Sequence, residues 1–464
     1  MTKLSFTRSV AVLAGGSAFG QILMIVALPF LTRLYTPNDF SVLAVFSAIL
    51  AVLSIVSTLR LDIAIPVAKN DKDAVILTVL ALLSVFVFSL LISLSIVCFS
   101  ERISTHPKLS LLSPYLWLVP IGVFLTGGYN TLQFWISRHK GFALISRTRI
   151  TQTIAAVAVQ VTAGMYGITP LGLLLGYIFS VGGGFFVLLK HIIQFHNRIF
   201  SNLTFKQLKY TLYQYRKYPQ YSTFEALANN TAIQLPMIII AFYGVGSEAG
   251  YLLLAMRVMQ APLTVVGSAI AQVYMSHASE EYKKGNLSTF TADVIGRLTK
   301  IGVGPLIFAG ILAPIIFPIV FGEVWSRAGI LVSWMVPWFV FQFLSSPISM
   351  SLHILEHQSL ALWLQVFGVL LRVGSLVLAI MYYDNMASEF YIASGAIFYI
   401  LYFIVVIKVT AVKIVDALNA LKASLAYVFG WVFGGWFFVL VLRAFSGNIG
   451  DFLVEALGLI KSFL

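Results

Sequence analysis

An all-α polytopic membrane fold is predicted for this 464-residue chain by three observations. The chain is 59% hydrophobic and 10% charged, with a mean hydropathy of +0.93, so a water-soluble fold would expose too much apolar surface. Twelve or thirteen apolar stretches run through it, each close to the ~20 residues a helix needs to cross the bilayer core. Lysines and arginines gather in every second connection between those stretches, the bias that the positive-inside rule describes.

The first predicted span, 11–33, follows Lys3 and Arg8. Its apolar run, Ala11 to Leu31, is too long for a cleavable leader and has no small-residue cleavage site before Arg33. Further spans are predicted at 40–60, 74–99, 114–136, 150–168 and 170–190, completing a six-helix N-terminal lobe over 1–190. The linker 191–221 is basic and aromatic, with Arg198, Lys206, Lys209, Arg216 and Lys217 among Tyr210, Tyr213, Tyr215, Tyr218 and Tyr221. Thr204 and Gln207 have capping-box spacing, and Leu208, Leu212 and Tyr215 lie about a turn apart. A short amphipathic helix on the cytoplasmic membrane surface is expected, ended by Pro219. Spans at 222–243, 248–276, 293–321, 327–353, 360–382 and 389–408 then form a C-terminal six-helix lobe over 222–409. Additional membrane helices occupy 410–464, with one span at 421–443 and a tail, 452–464, too short to cross comfortably. With the N-terminus cytoplasmic, outward-facing segments carry only Arg33, Arg102, Lys108, Arg327 and Arg443. Arg257 and Arg372 fall inside the membrane.

The halves read as copies. Leu28-Pro29 followed by Tyr35 matches Leu235-Pro236 followed by Tyr243, and Asp39 has its counterpart in Glu248. In the second span of each half an offset of 210 pairs Ser47 with Arg257, Ser54 with Thr264, Thr58 with Ser268 and Asp62 with Gln272. Six spans per half make this a parallel repeat, with pseudo-two-fold symmetry about an axis along the membrane normal. Transporters built so bind substrate between lobes that rock.

The polar members of these spans share faces. At 100° per residue Arg257, Gln260, Thr264, Ser268 and Gln272 form one stripe, and Ser47, Ser54, Thr58 and Asp62 another; Gln365, Arg372 and Ser375 fall together. Hydroxyls on such stripes are equally suited to bonding helices together, and Gly16-x3-Gly20, Gly172-x3-Gly176 and Gly430-x3-Gly434 read as packing motifs. An arginine at mid-span costs ~2.5–3.5 kcal/mol on the insertion scale, so it faces a cavity or a partner. Arg257 and Arg372 have no mid-membrane carboxylate beside them in the sequence, and a guanidinium grips phosphate bidentately. Arg257, Arg372, Gln260, Gln272, Gln365 and Ser47 are therefore the candidate substrate contacts. Asp62, with Arg60, is a candidate ion-coupling or gating pair for H+ or Na+; a plain Arg60–Asp62 pairing is the equal alternative, against which their two-residue spacing on a helix counts.

Several other readings are set aside. The net charge of +13 sits in short loops beside apolar spans, where anionic lipid explains it without a nucleic-acid partner. Cys98 is the one cysteine, so no intrachain disulfide forms. His353, Glu356 and His357 fit an H-x-x-E-H pattern but end a span with no evident third ligand, so no metal site is expected. No Gly-x4-Gly-Lys loop supports ATP hydrolysis. A polymerase or glycosyltransferase would usually show a large external loop or domain; the longest external connection before residue 444 has about 14 residues, so no enzyme is expected.

Four stretches resemble the Wzx-type oligosaccharide flippases, the polysaccharide-transporter branch of the multidrug/oligosaccharidyl-lipid/polysaccharide (MOP) exporter superfamily. They are LPFLTRLYTPNDFSVLAVF at 28–46, RLDIAIP at 60–66, YPQYSTFEALANNTAIQLP at 218–236 and AGYLLLAMRVMQAPLTVVGSAIAQVY at 249–274. The likeness covers about 1–410 and implies a MATE-like core of two six-helix bundles. It implies a flippase carrying undecaprenyl-diphosphate-linked oligosaccharide, an O-antigen, capsule or exopolysaccharide repeat unit, from the cytoplasmic to the periplasmic leaflet of a bacterial inner membrane. Membrane lipids, a polysaccharide polymerase and chain-length proteins are the partners it implies. A lipid II flippase and a MATE-like drug/ion antiporter remain alternatives. The antiporter would need embedded carboxylates for cationic cargo, where this chain has arginines.

Overall fold

The computed structural model describes residues 3–105, 112–200, 204–243, 247–263, 267–355, 357–383 and 386–445. The fold is all-α, with no strand among the described residues. Eight helices there are long and apolar enough to cross a membrane, nine if the bent pair Tyr218–Ala228 and Ile233–Tyr243 is one span. Among the described residues each predicted span falls mainly on helix, several of them with irregular turns. The contacts divide the chain into two compact units, Met1–Leu253 and Leu254–Leu464.

The first unit contains α1 (Lys3–Leu34), α2 (Pro37–Ser57), α3 (Asp71–Thr105), α4 (Leu118–Arg138), α5 (Phe142–Met165), α6 (Leu171–Gly182), α7 (Phe185–Phe200), α8 (Phe205–Gln214) and α9 (Thr223–Tyr243). Thr36 and Asp39 form a reciprocal capping box that starts α2. Helix α3 shows how such a helix meets two apolar environments. Ala74, Leu77, Thr78, Ala81 and Val85 are buried, while Leu83, Phe86, Leu90, Leu94 and Val97 are exposed at helical spacing on a lipid-facing stripe. Close helix approach rests on small residues: a Cβ at Gly16 would collide with Ser146 of α5, one at Gly172 with Tyr35 and Ala163, and one at Gly176 with Gln160. The third expected motif behaves differently. A Cβ at Gly430 would meet nothing within 4 Å, and one at Gly434 would only touch Phe308.

Helix α9 belongs to this first unit, not with the residues after the linker as expected. It packs on α2, and beyond it Ser247 donates to Asn38 (2.6 Å) and the Gly250 amide to Ser41 Oγ (2.8 Å). The division between units therefore falls inside α10 (Glu248–Pro262), where Leu253 meets Leu254, rather than in 191–221. The linker helix α8 carries the expected Thr204–Gln207 capping box but ends at Gln214, ahead of Pro219, which lies in a π-helical turn, Tyr218–Ser222, leading into α9. Tyr215 is buried in the first unit's core, and its hydroxyl accepts from the Lys69 amide (3.2 Å), so this protein surface holds the end of α8.

The second unit continues with α11 (Ser268–Lys283), α12 (Leu287–Leu298), α13 (Gly304–Phe321), α14 (Ser326–Ser345), α15 (Ser351–Ile354), α16 (Gln358–Tyr382), α17 (Ala387–Val409) and α18 (Ile414–Phe445). The predicted span 293–321 lies in one helix, Leu287–Phe321, that passes through a π-helical turn at Thr299–Val303, and 327–353 ends beyond a 3-10 turn at Pro347–Met350. Helix α18 lies on α12 and α13: Trp431 packs over Gly304 and edge-on to Phe308 at 5.3 Å, and Ser424 donates to the Gly296 carbonyl. The tail 452–464 and Glu356 lie outside the described residues. Both halves of the sequence repeat carry an interior proline, Pro29 in α1 and Pro236 in α9.

Candidate functional site

The second unit holds Arg372 on α16. It is buried, 8% exposed, with its guanidinium over the Phe398 ring at 4.6 Å and 6.0 Å from the Tyr399 ring, both on α17. A desolvated cation over aromatic faces is stabilised by ~2 kcal/mol, which offsets much of the insertion cost. The sequence permits this contact because Gly368, one turn before Arg372, leaves room for Phe398: a Cβ there would come within 2.5 Å of the ring. Around this pair Trp338 of α14 stacks with Tyr399 at 6.5 Å and meets Tyr391 edge-on at 5.2 Å, over Gly395. The buried Arg372 Nε and Trp338 Nε1 have no hydrogen-bond partner. Such an arrangement keeps a positive charge at mid-span with donor capacity left over.

The other predicted contacts are placed separately. Gln365 lies two turns before Arg372 on α16 and is exposed; on α10, Arg257 is half-buried and Gln260 exposed. The side chain of Gln272, with those of Thr264 and Ser268, lies outside the described residues. In the first unit Ser47 is half-buried and donates to the Ala44 carbonyl of its own helix (3.0 Å), as Ser54 does to Ala51 (3.1 Å). Both hydroxyls satisfy themselves along α2 rather than across to a neighbour.

Asp62 is not on the α2 stripe, because α2 ends at Ser57. Leu59 and Arg60 then turn into the left-handed region (φ 50° and 54°), and Asp62 opens a 3-10 turn, Asp62–Ala64. Arg60 and Asp62 therefore do not share a helix, and their two-residue spacing does not keep them apart. Asp62 is 4% exposed and accepts from Thr58 Oγ1 at 3.2 Å, while the Arg60 Nε is buried with no hydrogen-bond partner. Burial pushes the Asp62 carboxyl above its ordinary range; the charge of Arg60 and hydrogen bonds from Thr58 and the backbone oppose that only in part. A carboxyl so placed is protonated more readily than an exposed one.

Sequence reading missed what fixes this turn. Arg138, ending α4, donates from Nη1 to the carbonyls of Ile65 (3.1 Å), Pro66 (3.1 Å) and Ala68 (3.0 Å), and from Nε and Nη2 to Asp71. It also missed the aromatic bed of Arg372, although Tyr391, Phe398, Tyr399 and Tyr402 recur at 7, 8 and 11 residues, the spacing of one helix face. No cluster of three metal-ligating side chains occurs among the described residues.

Comparison with solved structures shows the fold. The chain is similar to a structure described as lipid II flippase MurJ in an inward closed conformation, at TM-score 0.67 and 17% identity, over 98% of this chain and 96% of that one. It is similar to an inward-facing multidrug resistance MATE family transporter of the MOP superfamily, at TM-score 0.61 and 14% identity, over 84% and 95% of the two chains. A MOP superfamily transporter from Pyrococcus furiosus matches at TM-score 0.57 and 13% identity, over 87% and 96%. No curated protein sequence matches. A family model described as polysaccharide biosynthesis protein matches residues 30–329, well over half of the chain.

Proposed function

Since the chain belongs to the polysaccharide biosynthesis protein family, we propose that it is a flippase for undecaprenyl-diphosphate-linked oligosaccharide, working by alternating access in a bacterial inner membrane. The observation that carries this reading is the family match over 30–329, on a fold shared with MOP-superfamily transporters. The cargo is a large polar sugar on a doubly charged phosphate linker. A carrier for it needs fixed positive charge inside the membrane, and Arg372 supplies that on its aromatic bed. In this account Arg257 and Arg372 take the diphosphate, while Ser47, Gln260, Gln272 and Gln365 meet sugar hydroxyls. Asp62, beside Arg60, is the proton or sodium site that couples transport to an ion gradient. A polymerase and chain-length proteins receive the flipped unit.

The test is surface polysaccharide in a strain whose only flippase is the variant. Replacing Arg372 or Arg257 by Lys keeps charge but removes the planar fork, and should reduce surface polymer in part. Alanine at both positions should abolish it while the protein still inserts, since each removal relieves an insertion cost. Near-normal surface polymer in the double alanine variant would sink the assignment of these arginines.

A further inference from the structure

Helices α11 and α12 run antiparallel in the second unit and leave a half-open groove between them of about 370 Å³. Its inner wall is apolar: Ile270 and Tyr274 from α11, Val294 and Leu298 from α12, and Ile301 beyond. Tyr274 is pinned at the back by a hydrogen bond with Thr291 (2.9 Å) and stacks on Phe290 at 5.6 Å. Asp293, Arg297 and His277 stand at the rim, the first two paired at 2.9 Å but 57% and 74% exposed. An ion pair that exposed shifts an equilibrium by no more than about fivefold, so water or a ligand can replace either partner at little cost.

The depth of these groups follows from the chain itself. One helix runs from Leu287 to Phe321, 35 residues or ~52 Å at 1.5 Å per residue, longer than the hydrocarbon core, and its charged residues Asp293, Arg297 and Lys300 all fall before Gly304. Residues preceding Gly304 therefore climb out of that core towards the headgroups. Ile301 and Leu298 lie near the boundary, Arg297 just above it, and Asp293 one turn, ~6 Å, farther out. The order does not depend on which side of the membrane α12 faces. Apolar wall, then cation, then anion is the complement of a lipid with acyl chain, then phosphate, then ammonium.

We propose that this groove seats one zwitterionic phospholipid with a primary-amine headgroup. Its phosphate lies against Arg297, its ammonium against Asp293, and one acyl chain runs along Ile270, Leu298 and Ile301. An anionic lipid such as phosphatidylglycerol would satisfy Arg297 but set its neutral head beside a bare Asp293 carboxylate. The site is independent of the transport assignment above and stands whether or not the cargo is correct.

The full-length protein, delipidated in detergent, is titrated with dioleoyl-phosphatidylethanolamine and with dioleoyl-phosphatidylglycerol, and retained lipid is counted by native mass spectrometry. The wild type should retain phosphatidylethanolamine in preference, each exposed charge contact adding up to about fivefold. The exchange variant Asp293→Arg with Arg297→Asp keeps both charges and reverses their order, so the preference should vanish. Ile301→Trp fills the groove from an exposed position and should lower retention of both lipids. If the exchange variant fails to fold, Asp293→Asn and Arg297→Gln decide singly, each removing most of the preference. Equal retention of the two lipids by wild type, an unchanged preference in the charge variants, or displacement of both lipids by undecaprenyl phosphate would overturn the proposal.

Discussion

Removing Arg138 should destabilise the first unit far more than removing its ionic partner. Its side chain is 16% exposed, and its Nη1 holds three backbone carbonyls of the 65–68 segment at 3.0 to 3.1 Å. The Ile65 carbonyl also accepts from the Ala68 amide, but those of Pro66 and Ala68 lie outside any helix, so Arg138→Ala leaves partly buried carbonyls to whatever water can reach them. Hydrogen bonds to a charged donor contribute ~1.5–3 kcal/mol each, and loss of the shared set should total about 2–4 kcal/mol. Asp71, by contrast, is 68% exposed, and its ion pair is worth ~0–1 kcal/mol. Arg138→Lys should fall between, because an ammonium cannot reach the carbonyls and Asp71 with one planar fork. The assay is the apparent thermal midpoint of detergent-purified protein, where Arg138→Ala should cost about 5–15 °C and Asp71→Asn little. Equal losses for Arg138→Ala and Asp71→Asn would refute the reasoning, since the carbonyl contacts would then contribute nothing.

Asp62 should make stability pH-dependent in a defined direction. Burial raises its carboxyl, so its stabilising contribution is complete below the ordinary carboxylate value of 3.8 and is lost as pH rises through the raised one. Asp62→Asn should therefore match wild type in acid and exceed it at neutral pH; thermal midpoints across that range in which wild type is the more stable at pH 7 would contradict this. If Asp62 couples an ion, flipping by wild type in vesicles should respond to pH or sodium and that of Asp62→Asn should not. Gly368→Ala should push Phe398 from beneath Arg372, an overpacking cost of about 1–3 kcal/mol visible in the melting midpoint. For topology, single cysteines in a Cys98→Ser background should label from the cytoplasm at 138–149, 191–221 and 277–292, and from outside at 101–113, 244–248 and 322–327. An impermeant reagent reaching 191–221 from outside would overturn the orientation.

What the sequence revealed was whatever depends on local period and composition. Among the described residues apolar runs of membrane length fell mainly on helices, and Thr204–Gln207 and the glycine pairs of α1 and α6 did what their spacing implies. What stayed hidden depends on contacts far apart in the chain. Arg138 finds its partners 67 to 73 residues away, and Tyr215 reaches Lys69 across 146. No periodicity encodes either. The stripe from Ser47 to Asp62 was misread for a different reason. It assumed helix continuing past Ser57, whereas two consecutive left-handed residues, neither of them glycine, turn the chain at Leu59 and Arg60. Such a turn is a tertiary imposition, held by the buried Asp62 and the Arg138 clamp, and propensity alone argues against it. Arg372 was visible as an anomaly because charge at mid-span is costly. Its bed of Phe398 and Tyr399 was not, because aromatic residues are unremarkable in a membrane helix.

The central claim is translocation of a lipid-linked oligosaccharide, and vesicles test it directly. Purified protein is reconstituted with an undecaprenyl-diphosphate-linked oligosaccharide bearing a fluorophore on the sugar, and loss of fluorescence to an impermeant quencher is followed. Wild-type vesicles should carry the label from one leaflet to the other faster than protein-free vesicles, and Arg257→Ala with Arg372→Ala should return the rate to background. Labelled oligosaccharide that stays in its leaflet in wild-type vesicles, under every imposed proton, sodium and voltage gradient, would contradict the account.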